Sequence, residues 1–452
     1  MMKLDRRKFL KSATGITALA LGMNPSAPAF LRRLAMAAPP AMEDSILVYV
    51  FQRGGNDGLN TVIPLGDPQY SAAMRPNIYI SPNDAITLTD AALAPNLQNN
   101  FAGLHPGLSP LTVLYNAGQL AFIHRVGYKG QSQSHFDSQQ FYENGTNDPR
   151  FEEGILYRLA VEKLDLANNP VAAVSISSNL MVAFKGSVPT ANIPNLSDFG
   201  FGYSLPKERK LLGRPYGDGT TGRGIQGAYT LPPLSGPYRE NIYRTGQVLA
   251  EALSLAKRLN PATYVPENGA VYSANSSLQQ KFKQAAMEIK DGVRMVGINQ
   301  GGYDTHTGQG GATGAQRNLL YDLSQGIRAL SLDLGTDRWN KTVLVVVSEF
   351  GRTTNQNGSF GTDHGDSTVM IVTGGKVKGG VYNCDATKWA PGDVYSSSSG
   401  RYVKRLTDHR SIMKEIIEKH YGVDAAGVAR IIPNYSTLVT AAPSEFTPLG
   451  IM

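Results

Sequence analysis

Short apolar runs recur along the chain, separated by segments with helical periodicity. Continuous apolar and β-branched runs predict buried strands at 45–51, 119–126, 171–177, 341–347 and 367–375. Apolar residues at three- and four-residue spacing predict helices at about 237–259, 275–297 and 314–334, with a capped helix at 407–422. Because strands alternate with helices, we expect an α/β fold in which a large, mostly parallel central sheet has helices on both faces.

The first 37 residues differ in composition from the rest of the chain. They hold seven of the 43 basic residues and one of the 36 acidic residues, so the remainder carries a net charge of +1. DRRKFLK precedes a weakly apolar run too short to span a bilayer and the small-residue triplet AMA at 35–37. This pattern is similar to a twin-arginine export signal. We therefore expect a signal peptide at 1–37, contact with the twin-arginine export machinery, and a periplasmic or secreted protein.

The remaining 38–452 predict one domain with no transmembrane span in the mature chain. A stretch rich in glycine and proline near 203–236 predicts a long loop or insertion. The near-neutral charge of the mature chain excludes nucleic acid as an expected partner. Cys384 is the only cysteine, so no intrachain disulfide can form and any metal site must use oxygen and nitrogen ligands.

Polar side chains follow several of the predicted strands. Asp57 comes directly after the first strand, Ser134 and His135 after the second, and Glu349 and Arg352 after the strand at 341–347. In open parallel sheets, ligands bind at the edge where these loops lie. Two glycine-rich loops that could reach this edge add four more candidates: Asp304, His306, Asp363 and His364. Carboxylates and imidazoles in such number indicate a divalent cation, because they would otherwise repel one another.

Five segments in order resemble the motifs of the DUF1501 family, and they span nearly the whole mature chain. These segments are FQRGGNDGLNTVIP, SHFDSQQ, GGYDTH, VVVSEFGRTTNQNGS and GTDHGD. The family comprises exported bacterial proteins without a known activity, grouped with the alkaline phosphatase and sulfatase superfamily. The resemblance implies an alkaline phosphatase-like fold and a metal-dependent hydrolase. The substrate would be a small anionic phosphate or sulfate ester, or one linked to a polysaccharide.

The superfamily pattern also implies roles for individual residues. The nucleophile would be Ser134, with Ser132 as a rival, or a water molecule activated by the metal. Arg352 would bind the tetrahedral anion. One zinc, manganese or calcium ion would be held by Asp304 and His306. A second would be held by Asp57, Asp363 and His364, with Glu349 as the alternative to Asp363. A complete two-metal site needs a further histidine, for which His135, His124 and His409 are weak candidates, so one metal or none stays open.

Each assignment has a structural alternative. Asp57 in GGNDG suits a turn, Ser134 suits a helix cap, and Glu349 with Arg352 suits a salt bridge. His124 within an apolar strand is more typical of a core histidine, and His409 and His420 are expected on a helix surface. The whole chain could also be a catalytically degenerate member of this fold that acts as a secreted binding or assembly protein. A redox enzyme is disfavoured, because the chain has no dinucleotide fingerprint and no cysteine cluster.

Overall fold

A computed structural model of the chain describes residues 44–166, 168–199 and 237–452. The predicted signal peptide at 1–37 and the predicted insertion near 203–236 lie outside the described residues. The described strands are β1 (Ile46–Gln52), β2 (Val62–Ile63), β3 (Ile86–Leu88), β4 (Asn99–Leu104), β5 (Leu120–Gly127), β6 (Ala173–Ile176), β7 (Ala191–Asn192), β8 (Met295–Gln300), β9 (Thr342–Ser348), β10 (Thr368–Thr373), β11 (Gly380–Tyr382) and β12 (Thr407–Asp408).

The described α-helices are α1 (Gly58–Thr61), α2 (Thr112–Asn116), α3 (His135–Asn144), α4 (Ile155–Lys163), α5 (Pro237–Arg258), α6 (Ser277–Lys290), α7 (Ala315–Trp339), α8 (His409–Tyr421), α9 (Ala425–Ile431) and α10 (Tyr435–Ala441). Short 3-10 turns occupy Pro106–Leu111, Val182–Phe184, Asp393–Tyr395 and Pro443–Phe446. Within the described part of the chain, no helix has both the length and the apolarity to cross a bilayer.

One mixed sheet of nine strands organises the described residues. Its order is β11-β5-β10-β9-β1-β8-β6-β7, and β12 pairs with β5. All neighbours are parallel except β10, which runs antiparallel to both β5 and β9. A separate three-stranded antiparallel sheet has the order β2-β4-β3. The predicted α/β fold with a mostly parallel central sheet is therefore confirmed.

Helices cover both faces of the large sheet. Along β1, Ile46, Val48 and Val50 belong to one buried cluster, and Leu47, Tyr49 and Phe51 belong to another. The first cluster is completed by α5, α6 and α7, and the second by α4, α8 and α9. Because successive side chains of a strand point to opposite faces, a strand that is apolar throughout must be covered on both sides.

The predicted helix at 275–297 is wrong at its C-terminal end. The helix α6 stops at Lys290, and the residues that follow turn at Gly292 (φ 113°) into β8, which pairs with β1 in parallel. The apolar residues of β8 happen to continue the helical spacing, so periodicity alone ran past the Asp291–Gly292 turn. The correction matters for function because β8 leads directly into the loop that carries Asp304 and His306.

Candidate metal centre

Four segments converge at the carboxyl-terminal edge of the parallel strands. The loops after β8 and β9 carry Asp304 and Glu349, and α3, which follows β5, begins at His135. His364 lies in the loop before β10, and because β10 runs antiparallel, the start of this strand shares the edge with the ends of its neighbours. Arg352 and His364 form an isolated antiparallel bridge that joins the last two loops.

Three imidazoles face one carboxylate in this cluster. The Nε2 atoms of His306 and His364 lie 3.1 and 3.2 Å from Asp304 Oδ1, and Nε2 of His135 lies 3.4 Å from Asp304 Oδ2. The two Nε2 atoms of His306 and His364 are 3.0 Å apart. The potential ligand atoms of His135, Asp304 and His364 all fall within 4.8 Å of one another. The structure thus contains a His/Asp cluster of the kind that holds a metal ion.

The other nitrogen of each imidazole lies against an acceptor. Nδ1 is 3.0 Å from Glu349 Oε1 in His135 and 3.1 Å from Asp363 Oδ1 in His306. In His364 it is 2.8 Å from the carbonyl oxygen of Gln133. Because ionised carboxylates and carbonyls can only accept, each Nδ1 must carry the proton. A neutral imidazole then presents the Nε2 lone pair to the cluster, which is the tautomer that a metal ligand requires.

Asp304 is held ionised at the centre of the cluster. Partial burial opposes ionisation, but the hydrogen bond and charge of Arg352 lower the pKa of Asp304 to about 2. Arg352 Nη2 lies 2.7 Å from Asp304 Oδ1. The loop after β1 packs closely against the backbone of Asp304. At Gly54 (φ 122°) there is no room for a side chain, since a Cβ there would overlap the backbone nitrogen of Asp304. Asp304 is therefore a preformed anion on a closely packed backbone.

Arg352 does not occupy the anion-binding position expected from the sequence. Its side chain has 0% exposure, and it donates to the backbone carbonyls of Gly54, Gly55, Tyr303 and Thr362 as well as to Asp304. A guanidinium buried in this way ties three loops together and cannot reach a ligand at the surface. The salt-bridge alternative also fails for the expected pair, since the partner carboxylate is Asp304 and not Glu349.

Glu349 and Asp363 lie behind the histidines. Glu349 is fully buried, and its Oε1 also accepts from Gln139 Nε2 at 2.9 Å and from the Gly54 N–H at 2.7 Å. Burial opposes its ionisation, yet these bonds together with His135 lower the pKa of Glu349. Asp363 is half exposed. The hydrogen bond from Asn357 Nδ2 makes the largest contribution to lowering the pKa of Asp363, and the hydrogen bond from His306 lowers it further. Both carboxylates orient an imidazole, so neither has the position of a direct ligand.

The electrostatic environment separates two of the three histidines. The hydrogen bond to Glu349 raises the pKa of His135. Burial lowers the pKa of His364, with a further contribution from the charge of Arg352. The ring of Phe350 packs against both imidazoles, at centroid distances of 5.0 Å from His135 and 4.5 Å from His364. The imidazoles are thus fixed by packing as well as by hydrogen bonds.

Asp57 lies outside the cluster. It is 2% exposed, and its Oδ2 accepts from Arg75 Nη1 at 2.5 Å and from Gln309 Nε2 at 2.6 Å. Its Oδ1 accepts from Arg75 Nη2 at 3.2 Å. With both oxygens engaged by a buried arginine, Asp57 has the contacts of a structural ion pair, and its predicted place beside Asp363 and His364 has no counterpart in the geometry.

Ser134 occupies the N-cap position of α3. Its backbone is extended (φ −88°, ψ 127°), but its side chain makes no capping hydrogen bond. In the sequence, Ser134 lies between Gln133 and His135. The carbonyl of Gln133 accepts a hydrogen bond from His364. Ser132 is exposed, and its Oγ accepts from the Ser134 N–H at 3.3 Å. Ser134, which is partly buried and adjacent to His135 in the sequence, stays the candidate hydroxyl, and Ser132 stays its rival.

The remaining histidine candidates are core residues. His124 is 1% exposed, and its Nδ1 accepts from the Arg125 N–H at 2.7 Å, as expected for a core histidine. The prediction of His409 and His420 on a helix surface is wrong. His409 is 1% exposed and stacks on Tyr142 at 4.1 Å, and His420 is buried with Nε2 3.1 Å from the Ile46 carbonyl. Both lie on α8, whose inner face is buried against the sheet.

His135 is the residue that sequence reasoning undervalued. Its one signal was its place at the start of the helix after β5, on the same edge as the other candidates. Periodicity could not show that its ring turns toward Asp304. The carbonyl of Gln133 had no signal in the sequence, because any residue could supply that acceptor. Gln133 does have a left-handed backbone (φ 59°), which only the structure reveals.

One family model matches the part of the chain that carries most of this site. Residues 243–432 match the family described as "Protein of unknown function (DUF1501)". The match supports the family that the sequence motifs indicated. It includes the loops that carry Asp304, His306, Glu349 and His364, whereas His135 lies before it. The family description names no activity, so the match to DUF1501 says nothing about the reaction.

Two further comparisons add little to the DUF1501 match. No curated protein matches the chain. Among solved structures, the chain is similar to the phosphonate monoester hydrolase of Agrobacterium radiobacter, with 12% identity over 83% of this chain and 73% of that chain, and a TM-score of 0.22. At this TM-score the shared geometry is too small to support an inference about this chain.

Proposed function

We propose that this chain is an exported, metal-dependent hydrolase of phosphate or sulfate esters. In this proposal, His135, Asp304 and His364, whose potential ligand atoms lie within 4.8 Å of one another, hold one divalent cation, and His306, which contacts Asp304 and His364, supplies a fourth ligand. The observation that carries the proposal is that three Nε2 atoms converge on the Asp304 carboxylate. The Nδ1 atom of each imidazole is hydrogen-bonded to an acceptor on its other side. When the protons are on Nδ1, the unprotonated Nε2 atoms of His306 and His364, 3.0 Å apart, repel each other, and a cation bound to both removes that repulsion.

The donor set fits a small cation of intermediate softness. Three imidazole nitrogens and one carboxylate oxygen suit zinc or manganese, whereas calcium prefers six to eight oxygen ligands. In a tetrahedral zinc site with bonds of about 2.0 to 2.2 Å, ligand atoms lie roughly 3.3 to 3.6 Å apart. The contacts to Asp304, at 3.1, 3.2 and 3.4 Å, are close to that spacing, whereas the potential ligand atoms of His135, Asp304 and His364 spread over up to 4.8 Å and would move closer together around the ion. Calcium is therefore dropped from the metals expected from the sequence.

The side chains around the cluster would divide the chemistry. A bound cation would act as a Lewis acid on the ester and lower the pKa of the nucleophile. Ser134 would attack phosphorus or sulfur, forming a bond through Oγ while the bond to the alcohol oxygen breaks. Its proton would pass to solvent, and the departing alcohol oxygen would take a proton from solvent. Water would later attack phosphorus or sulfur, the bond to Oγ would break, and Oγ would regain a proton as the anion leaves.

The remaining groups would hold charge and geometry. The N-terminus of α3, a helix of ten residues that begins at His135, would stabilise the developing anion through its first N–H groups and the helix dipole. Glu349 and Asp363 would keep His135 and His306 in the required tautomer. Arg352 would keep Asp304 ionised and the three loops together. With Arg352 buried, the helix N-terminus would take the anion-binding role that the sequence resemblance implied for Arg352.

Hydrolysis tests the proposal directly. The purified protein, reconstituted with zinc or manganese, should release phenol from phenyl phosphate or phenyl sulfate. Ser134→Ala should retain metal and lose at least about a hundredfold in kcat, whereas Asp304→Asn should lose both metal and activity. Asp337→Asn, an exposed carboxylate on α7, is the matched control and should change neither. Cell fractionation would test export.

The contrary results are distinct. Bound metal without hydrolysis of phosphate, sulfate or phosphonate monoesters would refute the enzyme and favour a secreted binding protein. Unchanged activity in Ser134→Ala would remove the serine from the reaction and leave an activated water molecule as the nucleophile.

A further inference from the structure

Two phenylalanines beside the candidate metal centre are exposed to solvent. Phe136 is 90% exposed and Phe360 is 56% exposed, and they are the only exposed phenylalanines among the described residues. Single exposed apolar residues are common and need no explanation. Here, however, both residues belong to segments that carry or contact residues that we assign to one metal site. Phe136 directly follows His135, and Phe360 lies on the loop that contacts the His306 segment.

The loop that carries Phe360 is held firmly against the site. Gln309 N–H donates to the Phe360 carbonyl and Gly308 N–H to the Ser359 carbonyl, each at 3.0 Å. Asn357 Nδ2 donates to the His306 carbonyl at 3.0 Å and to Asp363 Oδ1 at 3.1 Å. Gly361 has no room for a Cβ against the backbone of Thr305 and His306. Phe360 is thus presented by an ordered loop one residue from this close contact.

The backbone of Phe360 is strained. Its φ of 60° lies in the left-handed region, where a bulky aromatic residue is an outlier. Asparagine or glycine would adopt this conformation at lower cost, and an exposed side chain contributes little packing in return. Strain that is retained at an exposed position beside a site points to a function for the side chain that bears it.

We propose that Phe136 and Phe360 bind an aryl group on the organic side of the ester, so that the substrates are aryl monoesters. The inference rests on the proposed function, since it takes the anionic end of the same ligand to lie at the metal. Aromatic rings pack on other rings through offset or edge contacts, and such contacts favour a flat aryl group over a small alkyl group. Phe350, the third aromatic ring here, is fully buried under His135 and His364 and is not available to a ligand.

The test uses two ligands that cannot be hydrolysed. The full chain, reconstituted with zinc, is titrated with phenylphosphonate and with methylphosphonate by calorimetry. We expect phenylphosphonate to bind about ten- to a hundredfold more tightly. Phe136→Ala and Phe360→Ala should each weaken phenylphosphonate about three- to tenfold and leave methylphosphonate unchanged. Val271→Ala, which removes another exposed apolar side chain, is the control and should have no effect.

A parallel comparison of phenyl phosphate and methyl phosphate as substrates separates the two proposals. An aryl preference in binding without hydrolysis of any ester would refute the enzyme and keep the aryl site. Hydrolysis with equal kcat/KM for both esters, or an aryl preference that survives both Phe→Ala changes, would overturn the aryl site alone. Binding of neither phosphonate, together with no hydrolysis, would overturn both.

Discussion

The groups behind each imidazole determine what the cluster can bind. Glu349, Asp363 and the carbonyl of Gln133 accept hydrogen bonds from the Nδ1–H groups, so three Nε2 atoms are left to face Asp304. A carboxylate behind a histidine both fixes its tautomer and makes it a stronger donor to a metal. The distinction between a ligand and the group that orients it is therefore a matter of which ring nitrogen each carboxylate contacts.

Glu349 allows this distinction to be measured. Glu349→Gln keeps the shape of the side chain but removes its charge, so we expect metal affinity to fall about ten- to a hundredfold without loss of folding. Competition with a chromophoric chelator gives the affinity. Glu288→Gln is the matched control, since Glu288 is also fully buried but burial raises its pKa to about 8, so it is already neutral. An unchanged affinity in Glu349→Gln would contradict the orienting role.

The strain at Phe360 predicts a stabilising substitution. Phe360→Asn should raise the free energy of unfolding by on the order of 1 kcal/mol, because asparagine tolerates the left-handed backbone. Urea denaturation of the parent and the variant measures the difference. Phe360→Val, which is β-branched and strained at this φ, should be less stable than the parent. A destabilised Phe360→Asn would show that the phenyl ring packs productively in the folded protein.

Residue types were predictable here to a greater extent than residue roles. Asp304, His306, Asp363 and His364 stood out because glycine-rich loops have little structural use for such side chains. Whether Glu349 or Asp363 is a ligand could not be decided, because it depends on the rotation of His135 and His306. Arg352 was misread for a similar reason. Its burial follows from the close packing of three loops, which the sequence does not display.

At the scale of elements, the reversed direction of β10 completes the site. A strand parallel to its neighbours would have placed the loop before it, with Asp363 and His364, at the opposite edge of the sheet. Alternation of strands and helices predicted a mostly parallel sheet but gave no sign of this reversal. The helix predicted at 275–297 extended into the first residues of β8. The turn at Asp291–Gly292 is so short that the apolar spacing continues across it. Strands β1, β5 and β9 were predictable because their runs are mostly apolar, and every residue of the three strands is buried.

The ion pair of Asp57 and Arg75 joins separate elements. Arg75 also donates to the carbonyls of Thr353 and Thr354, so the pair connects the start of α1 to the loop after β9. Asp57→Asn would leave a buried guanidinium without its charge partner, and we expect a loss of about 3 to 5 kcal/mol in the free energy of unfolding. Asp148→Asn, which breaks an exposed pair with Arg150, should leave stability unchanged. Loss of bound metal from a stable Asp57→Asn protein would restore Asp57 as a ligand.

At the scale of the whole molecule, buried neutral histidines should make stability fall in acid. Burial lowers the pKa of His105 and His409 to about 4 and that of His124 to about 3, from 6.5. Below pH 6.5 the unfolded chain therefore binds protons that the folded chain does not, and stability is lost as the pH falls toward 4. Each such histidine should cost on the order of 2 kcal/mol between pH 6.5 and 5.

A single substitution isolates one of these contributions. His409→Phe keeps a ring against Tyr142 but cannot titrate, so the variant should lose less stability than the parent between pH 6.5 and 5. Urea denaturation at several pH values, with chelator present, measures both profiles. Parallel profiles for the parent and the variant would show that His409 is already protonated in the folded protein.

The central claim is that the cluster around Asp304 holds a divalent cation. The decisive measurement is the metal content of the full chain, purified without chelator and then incubated with zinc or manganese, beside His364→Ala and the Asp337→Asn control. The account predicts close to one bound ion per chain in the parent and the control, and a clear loss in a folded His364→Ala protein. Absence of metal from the parent, or full retention in His364→Ala, would contradict it.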